Sequence, residues 1–392
     1  MRLQTSVTQI GLDVHRKFSL AAARDASGRI VWRQRLEHAD RDELRKRLSS
    51  WPQATPVILE GTFGWGWMSD ELLAAQVDPH LASSRKVAAW RSARGMAKSN
   101  KIDADLLSEL WDEKPMTQGG VLKRWWEVWL VPQEVRDQRE LLRHRMSLVK
   151  IQTEVKNQIH AILHRHGILH EFADLFGSGG RRWLSLLAED EGQLRHAGRR
   201  VLKDKLILLD TLRRLIARAT SLFRMGIKAN PMAQRLKSLP GVSVVLSYTI
   251  AAEIGRIERF HDARHLVSYS LLAPRADDSG DEREGKPIGR RIGHAGRRTL
   301  QWAWIEAARG AVIKDVRFRA VWDRRTDKGE KDRNRGYIAA ANTMCRIAYA
   351  MLEKETDYRE ESPSRPGSKL SQTDLSRPGT GQPEAAMAAC VE

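Results

Sequence analysis

The feature that most narrows the fold of this chain is the run Gln9-Ile10-Gly11-Leu12-Asp13-Val14-His15, an apolar stretch that carries one carboxylate. Val7, Ile10, Leu12 and Val14 have the character of a buried strand. Phe18 to Ala23 and Arg29 to Leu36 read as two more strands joined by a Ser-Gly turn. A charged Asp inside such a sheet must meet a cation or a donor, because desolvating it alone is costly. A salt-bridged strand residue and a metal ligand both satisfy that requirement, and this strand alone leaves both open. Pro56-Val57-Ile58-Leu59-Glu60 repeats the pattern of an apolar run ending in one acid, and Lys98-Ser99-Asn100-Lys101-Ile102-Asp103-Ala104 supplies a third acidic station.

Three acids on a β-β-β-α-β-α pattern suit a hard divalent cation such as Mg²⁺. Such an ion takes one or two carboxylates and leaves its other positions for water and phosphate. The net charge of +18 and a pI near 10.2 point to a polyanionic partner. No window approaches the ~20 apolar residues of a membrane span, and the N-terminus lacks a signal-peptide core, so a cytoplasmic protein with no membrane partner is expected. Cys345 and Cys390 make neither a disulfide framework nor a zinc site.

Residues 1–115 read as an α/β domain with helices at Arg41 to Leu48, Trp67 to Ala75 and Ile102 to Leu110 and a short strand at Val77 to Leu81. Trp65 and Trp67 flank Gly66 and could stack on bases or pack under the turn. Arg85, Lys86, Arg91, Arg94, Lys98 and Lys101 surround the approach to the third acid, as either a solvated face or a phosphate track. Residues 116–230 are a spacer. Within it, Val131 to about His166 forms a long helix with Leu141, Leu148, Val155 and Ile162 at strict sevens, thickened by Ile151 and Ile159. That spacing predicts a coiled-coil seam or a helical hairpin, and a seam would make a homo-oligomer. Arg199 to Arg224 is expected to pack back along it.

Residues 231–353 form a mainly helical third domain. Leu239-Pro240-Gly241-Val242 between helices has the pattern of a helix-hairpin-helix, whose Gly241 N–H would contact phosphate without reading sequence. A Gly-rich basic segment follows, with Ser279-Gly280, Gly289-Arg290-Arg291 and Gly296-Arg297-Arg298 ahead of an Ala-rich helix from Gln301 to Ala311. Residues 354–392 have almost no aliphatics and read as a disordered tail.

Gly-Leu-Asp-Val-His, Leu-Glu-Gly-Thr-Phe-Gly-Trp-Gly and Lys-x-x-Lys-Ile-Asp-Ala, together with the Ser-Gly pair ahead of a basic Gly-x-x-Gly, resemble the DEDD transposases of insertion sequences. The resemblance runs from about residue 8 to residue 353. It implies a RuvC-like, ribonuclease-H-like N-terminal domain, a helical spacer and a C-terminal transposase domain. It further implies Mg²⁺ held by Asp13, Glu60 and Asp103, Ser279 as a nucleophile that forms a serine–DNA link, and direction by a structured guide (bridge) RNA. Asn100 stands where the family carries a fourth acid. On a helix it shares a face with Asp103, whereas Asp105 falls roughly 200° away and does not replace it. Arg290, Arg291, Arg297 and Arg298 would clamp the phosphate that Ser279 attacks. Two readings stay open beside this one: a metal-dependent nuclease or junction resolvase in which Ser279 is only a turn residue, and a non-catalytic nucleic-acid-binding derivative.

Overall fold

The structure is a computed structural model that describes residues 7–95, 100–118, 121–273, 297–326 and 333–359. The chain divides into two compact units, Met1–Arg136 and Asp137–Glu392.

The first unit is built on a six-stranded sheet. Strands β1 (Val7–Val14), β2 (Phe18–Asp25) and β3 (Ile30–Glu37) form an antiparallel meander, followed by α1 (Arg41–Ser49), β4 (Pro56–Glu60), α2 (Trp65–Ala74), β5 (Asp78–Ala82), α3 (Ser84–Ala93) and α4 (Asn100–Glu109). A small hairpin of β6 (Met116–Gln118) and β7 (Val121–Lys123) precedes β8 (Glu127–Val128). The sheet order is β3-β2-β1-β4-β5-β8, with β1, β4 and β5 mutually parallel. This mixed α/β order is consistent with a RuvC-like domain. The central strands are apolar on both faces, as expected where helices cover both sides, and Ile10, Leu12, Val57, Ile58 and Leu59 are fully buried.

Helix α4 lies unusually close to β1. A Cβ built on Gly11 would sit 2.1 Å from the Ala104 carbonyl oxygen and 2.3 Å from the Ser108 nitrogen, so the strand and helix backbones meet where only glycine fits. Polar clamps hold the contact: Arg24 Nε donates to Ser108 Oγ at 2.7 Å and Gln9 Nε2 to Asp112 Oδ1 at 2.6 Å. Asp105 turns away to a bidentate pair with Arg33, at 2.9 and 2.7 Å, as the helical angle predicts.

The first unit runs to Arg136, past the boundary at residue 115 expected from the sequence pattern. Trp126 is wholly buried and its Nε1 donates to the Leu110 carbonyl at 2.8 Å, while β8 pairs antiparallel with β5. One indole and a two-residue strand, too short to show as a periodic pattern, extend the unit. His80 of β5 fastens that edge, with Nδ1 2.6 Å from Glu127 and Nε2 2.9 Å from Asp78.

The second unit is helical. The long α5 (Gln133–Arg165), which starts in the first unit, is followed by α6 (Ser178–Leu187), α7 (His196–Lys228), α8 (Pro231–Leu236), α9 (Val244–Ile254), α10 (Ala263–Tyr269), α11 (Arg298–Lys314), α12 (Val316–Thr326) and α13 (Arg333–Glu353). The heptad face of α5 is consumed inside the chain. Leu148, Val155, Ile159 and Ile162 pack with Leu184 and Leu187 of α6 and with Leu202, Leu206, Leu209 and Leu212 of α7. Of the two spacings the sequence allowed, the helical hairpin is the one formed. Ile151 lies off this seam and is 39% exposed. No helix of the described residues is long and apolar enough to cross a membrane.

Helices α8 to α13 enclose a separate core in which Phe223 stacks on Tyr248 and Trp304, Phe318 and Cys345 are fully buried. Burial pushes the Cys345 thiol up to about 12, which makes it an inert core residue. Asn230 caps α8 and Ser243 caps α9, so the Leu239-Pro240-Gly241 turn joins two helices as predicted. Gly241 has φ +79°. Its missing side chain is required by packing, because a Cβ there would lie 2.2 Å from the Ala307 carbonyl, where Gly241 meets Gly310 of α11.

Gly11→Ala must push α4 off β1 and is expected to cost ~2 kcal/mol or more, read as a lower denaturation midpoint. Burial pulls the His80 imidazolium down, but its bonds to Glu127 and Asp78 outweigh that and hold its pKa above the ordinary 6.5. The clamp's contribution is therefore complete below about pH 6.5 and is lost as the pH rises through the raised folded value. His80→Gln should flatten that part of the stability–pH curve.

Candidate active site

The parallel register of β1 and β4 pairs Ile10 with Val57, Gly11 with Ile58 and Leu12 with Leu59. One further step brings Asp13 abreast of Glu60, both at the carboxyl ends of their strands, where open α/β sheets place ligands. Asp103 arrives from the first turn of α4, carried there by the Gly11 crossing, and is only 6% exposed. The three acids line one cleft of about 630 Å³, together with His15, Arg16, Phe63, Ser84, Arg85 and Arg91.

Asp13 and Asp103 each face a nitrogen-bearing side chain. His15 Nε2 lies 3.0 Å from Asp13 Oδ2, and an Arg91 guanidinium nitrogen lies 2.9 Å from Asp103 Oδ1. Neither contact has hydrogen-bond alignment, so both buried carboxylate oxygens lack a hydrogen-bond donor. Burial pushes the Asp13 carboxyl above its ordinary value, His15 pulls it back and Asp103 pushes it up again. Burial likewise raises Glu60, against the Ser84 hydroxyl and Arg91, with Asp13 and Asp103 adding to the rise. The three carboxylates are crowded, and Asp13 and Asp103 are under-bonded as well.

As they stand, no three His, Cys, Asp or Glu side chains among the described residues converge on a ready metal position. The donor chemistry nonetheless fits a hard cation: buried carboxylate oxygens without donors, mutually repelling, in a cleft open to ligand. The Asn100 backbone opens α4 three residues before Asp103, and its side chain lies outside the described residues.

The cations foreseen near the third acid divide by what they touch. Arg85 and Arg91 line the cleft. Lys86 donates to the Trp125 carbonyl at 2.8 Å, and burial lowers its pKa. Arg94 pairs with Glu109 at 2.9 Å and lies over the Trp90 ring. Lys98 and the Lys101 side chain lie outside the described residues. So do Ser279, Arg290 and Arg291.

In the second unit Arg298 is exposed at the start of α11. Arg297 Nε donates to the Tyr269 hydroxyl at 3.0 Å and approaches Glu253 at 3.7 Å. Arg139 and Arg259 bond the last carbonyls of α9, Ala252, Glu253 and Ile254. Burial raises the Tyr269 phenol, but Arg259, Arg297 and Arg139 together hold it below its ordinary value.

His15, Arg16, Phe63 and Ser84 were not foreseen in the cleft. His15 was legible, since strand alternation puts it on the face of Asp13. Phe63 lies in the Leu-Glu-Gly-Thr-Phe-Gly-Trp-Gly motif, which does not say where its ring points, and Ser84 carries no sequence signal, because its place depends on where β5 ends.

Comparison with known proteins places the chain among transposases. Two family models match separate stretches: a DEDD transposase model of the IS110 type over residues 10–168, and the Transposase IS116/IS110/IS902 family over residues 233–323. The chain belongs to the IS110 family of DEDD transposases. It is 23% identical over 364 residues to the transposase for insertion sequence element IS1111A of Coxiella burnetii, covering 91% of this chain and 93% of that protein. A 43.6 kDa protein of insertion element IS110 from Streptomyces coelicolor is 29% identical over 138 residues, 35% of this chain and 33% of that one. A probable family 20 transposase of Pseudomonas aeruginosa is 26% identical over 222 residues, 55% and 63% of the two chains.

Because crowded carboxylates oppose folding while they support ligand binding, Asp13→Asn and Glu60→Gln are each expected to raise the thermal unfolding midpoint of the metal-free protein. A lowered midpoint in both would show that the acids are structural.

Proposed function

We propose that this chain is the transposase of an insertion sequence, cutting and rejoining DNA strands at the cleft of Asp13, Glu60 and Asp103. The observation that carries the reading is that acids from β1, β4 and α4 line one cleft with Arg16, Arg85 and Arg91. Carboxylates suit a divalent cation, and arginines suit the non-bridging oxygens of a phosphodiester.

In this reading Asp13, Glu60 and Asp103 hold Mg²⁺, and Asn100 contributes a neutral oxygen in place of the family's fourth acid. When bound, the ion offsets charge on the phosphate and lowers the pKa of an attacking hydroxyl. Ser279 is the nucleophile. Its Oγ forms a bond to phosphorus as the strand-end hydroxyl leaves with a proton, and a second strand's hydroxyl reverses the step to free the serine. The phosphodiester energy is kept through the ester, so strands rejoin without ATP. Arg290, Arg291, Arg297 and Arg298 hold phosphate oxygens near that serine. Sequence choice is delegated to a structured guide RNA, since the charge spreads over the whole chain and no major-groove reading motif stands out. The working form is a homo-oligomer, a dimer or tetramer. Its interface is not the α5 heptad face, which is buried within the chain. The Gly241 N–H, on a turn whose Cα packs on α11, contacts a phosphate without reading sequence.

The decisive experiment is a denaturing gel of protein with end-labelled target DNA, guide RNA and Mg²⁺. Wild type is expected to give a covalent adduct that Ser279→Ala and Asp13→Asn both lack, each with DNA affinity changed less than about threefold. An equal adduct in Ser279→Ala would remove the serine chemistry. Free 5′-phosphate ends without adduct would instead identify a hydrolytic nuclease. Full recombination after ribonuclease treatment would remove the guide RNA.

A further inference from the structure

The loop that follows Glu60 carries a side chain that no structural role explains. Phe63 is 83% exposed, yet it lines the acidic cleft beside Arg16 and Thr62. The neighbouring aromatics are accounted for. Trp65 and Trp67 are half-buried against the core of the first unit; Trp67 meets the edge of His38 at 4.8 Å and lies under Arg41 at 3.7 Å, and Trp65 lies under Arg136. The stacking role that the sequence offers to these tryptophans therefore falls on the ring between Thr62 and Gly64. Gly64, with φ +90°, turns the chain from this loop into α2, and the Gly61 N–H bonds the Ala82 carbonyl at 2.8 Å. Phe63 thus stands three residues from a cleft acid on a loop tied down at both ends.

We infer that Phe63 is a stacking platform for an unpaired base of the DNA strand whose phosphate lies over Asp13, Glu60 and Asp103. A base inside an intact duplex has both faces covered by its neighbours, so a lone exposed ring at the rim of a phosphate-binding cleft takes one that has left the stack. The substrate form at this cleft is then a locally unstacked strand, and Phe63 is a positioning residue that fixes which phosphate reaches the acids. This rests on the cleft being the DNA-cleaving site.

The test uses the full chain without divalent metal and a short single-stranded oligodeoxynucleotide carrying 2-aminopurine, whose fluorescence is quenched by stacking. Phe63→Trp and Phe63→Tyr are expected to bind and quench like wild type. Phe63→Leu, which keeps apolar bulk without a ring, is expected to lose about 5- to 150-fold in affinity, equivalent to about 1–3 kcal/mol, together with the quenching. Its affinity for blunt duplex should be unchanged. Against an oligonucleotide with an abasic residue at the stacked position, wild type and Phe63→Leu should become equal. Equal binding and quenching of the 2-aminopurine strand by the two proteins would overturn the stacking role, even with cleavage abolished in Asp13→Asn. Cleavage that survives in Asp13→Asn would instead remove the site on which the inference rests. A Phe63-dependent preference for the RNA form of the same oligomer would overturn its assignment to DNA.

Discussion

The close approach of α4 to β1 at Gly11 is the constraint on which the rest of the first unit depends. Two backbones meet at a distance that any Cβ would forbid, with 2.1 Å left to the Ala104 carbonyl. The approach puts Asp103 over the end of the strand that carries Asp13, while the parallel register of β1 and β4 brings up Glu60. Arg24, Gln9 and the Arg33–Asp105 pair then hold α4 in place along its length. A single absent methyl group thus allows three acids from three elements to share one cleft.

Bringing those acids together runs against folding. Asp13 and Glu60 are both pushed toward the neutral form by burial and by the neighbouring carboxylates. His15 and Arg91 relieve only part of this, through charge contacts without aligned hydrogen bonds. An active site that waits for a cation and a phosphate has this character: its unmet acceptors and repulsions are what the ligand resolves. Elsewhere in the unit Arg24, Lys86 and His80 have well-formed hydrogen bonds.

The second unit uses its pattern differently. A strict seven-residue repeat on α5 looks like a surface awaiting another chain, but α6 and α7 cover it. Gly241 reads from sequence as a turn glycine, and its Cα packs against Gly310 of α11, where a side chain would not fit. The charged knot of Arg139, Arg259, Arg297, Glu253 and Tyr269 closes the end of α9, where arginine donors meet carbonyls that no further helical turn would bond.

Periodicity and apolar runs by themselves determined that strands run through Leu12, Leu20 and Ile58, that a long helix follows Pro132 and that single acids stand at Asp13, Glu60 and Asp103. These are local signals, written in alternation and heptad spacing, and they survive without knowledge of neighbours. The family was legible for the same reason, since its motifs are short and contiguous. Only the tertiary structure decided that β8 and Trp126 extend the first unit and that the α5 seam closes within the chain. It alone decided that Lys86 and Arg94 serve packing while Arg85 and Arg91 face the cleft, and that Phe63 rather than Trp65 or Trp67 stands in solvent. Each of these depends on which residues meet across long sequence separations. A cation or an aromatic ring has the same local signature whether its partner is a carbonyl, a core or a phosphate, so its role is settled by what the fold places opposite it.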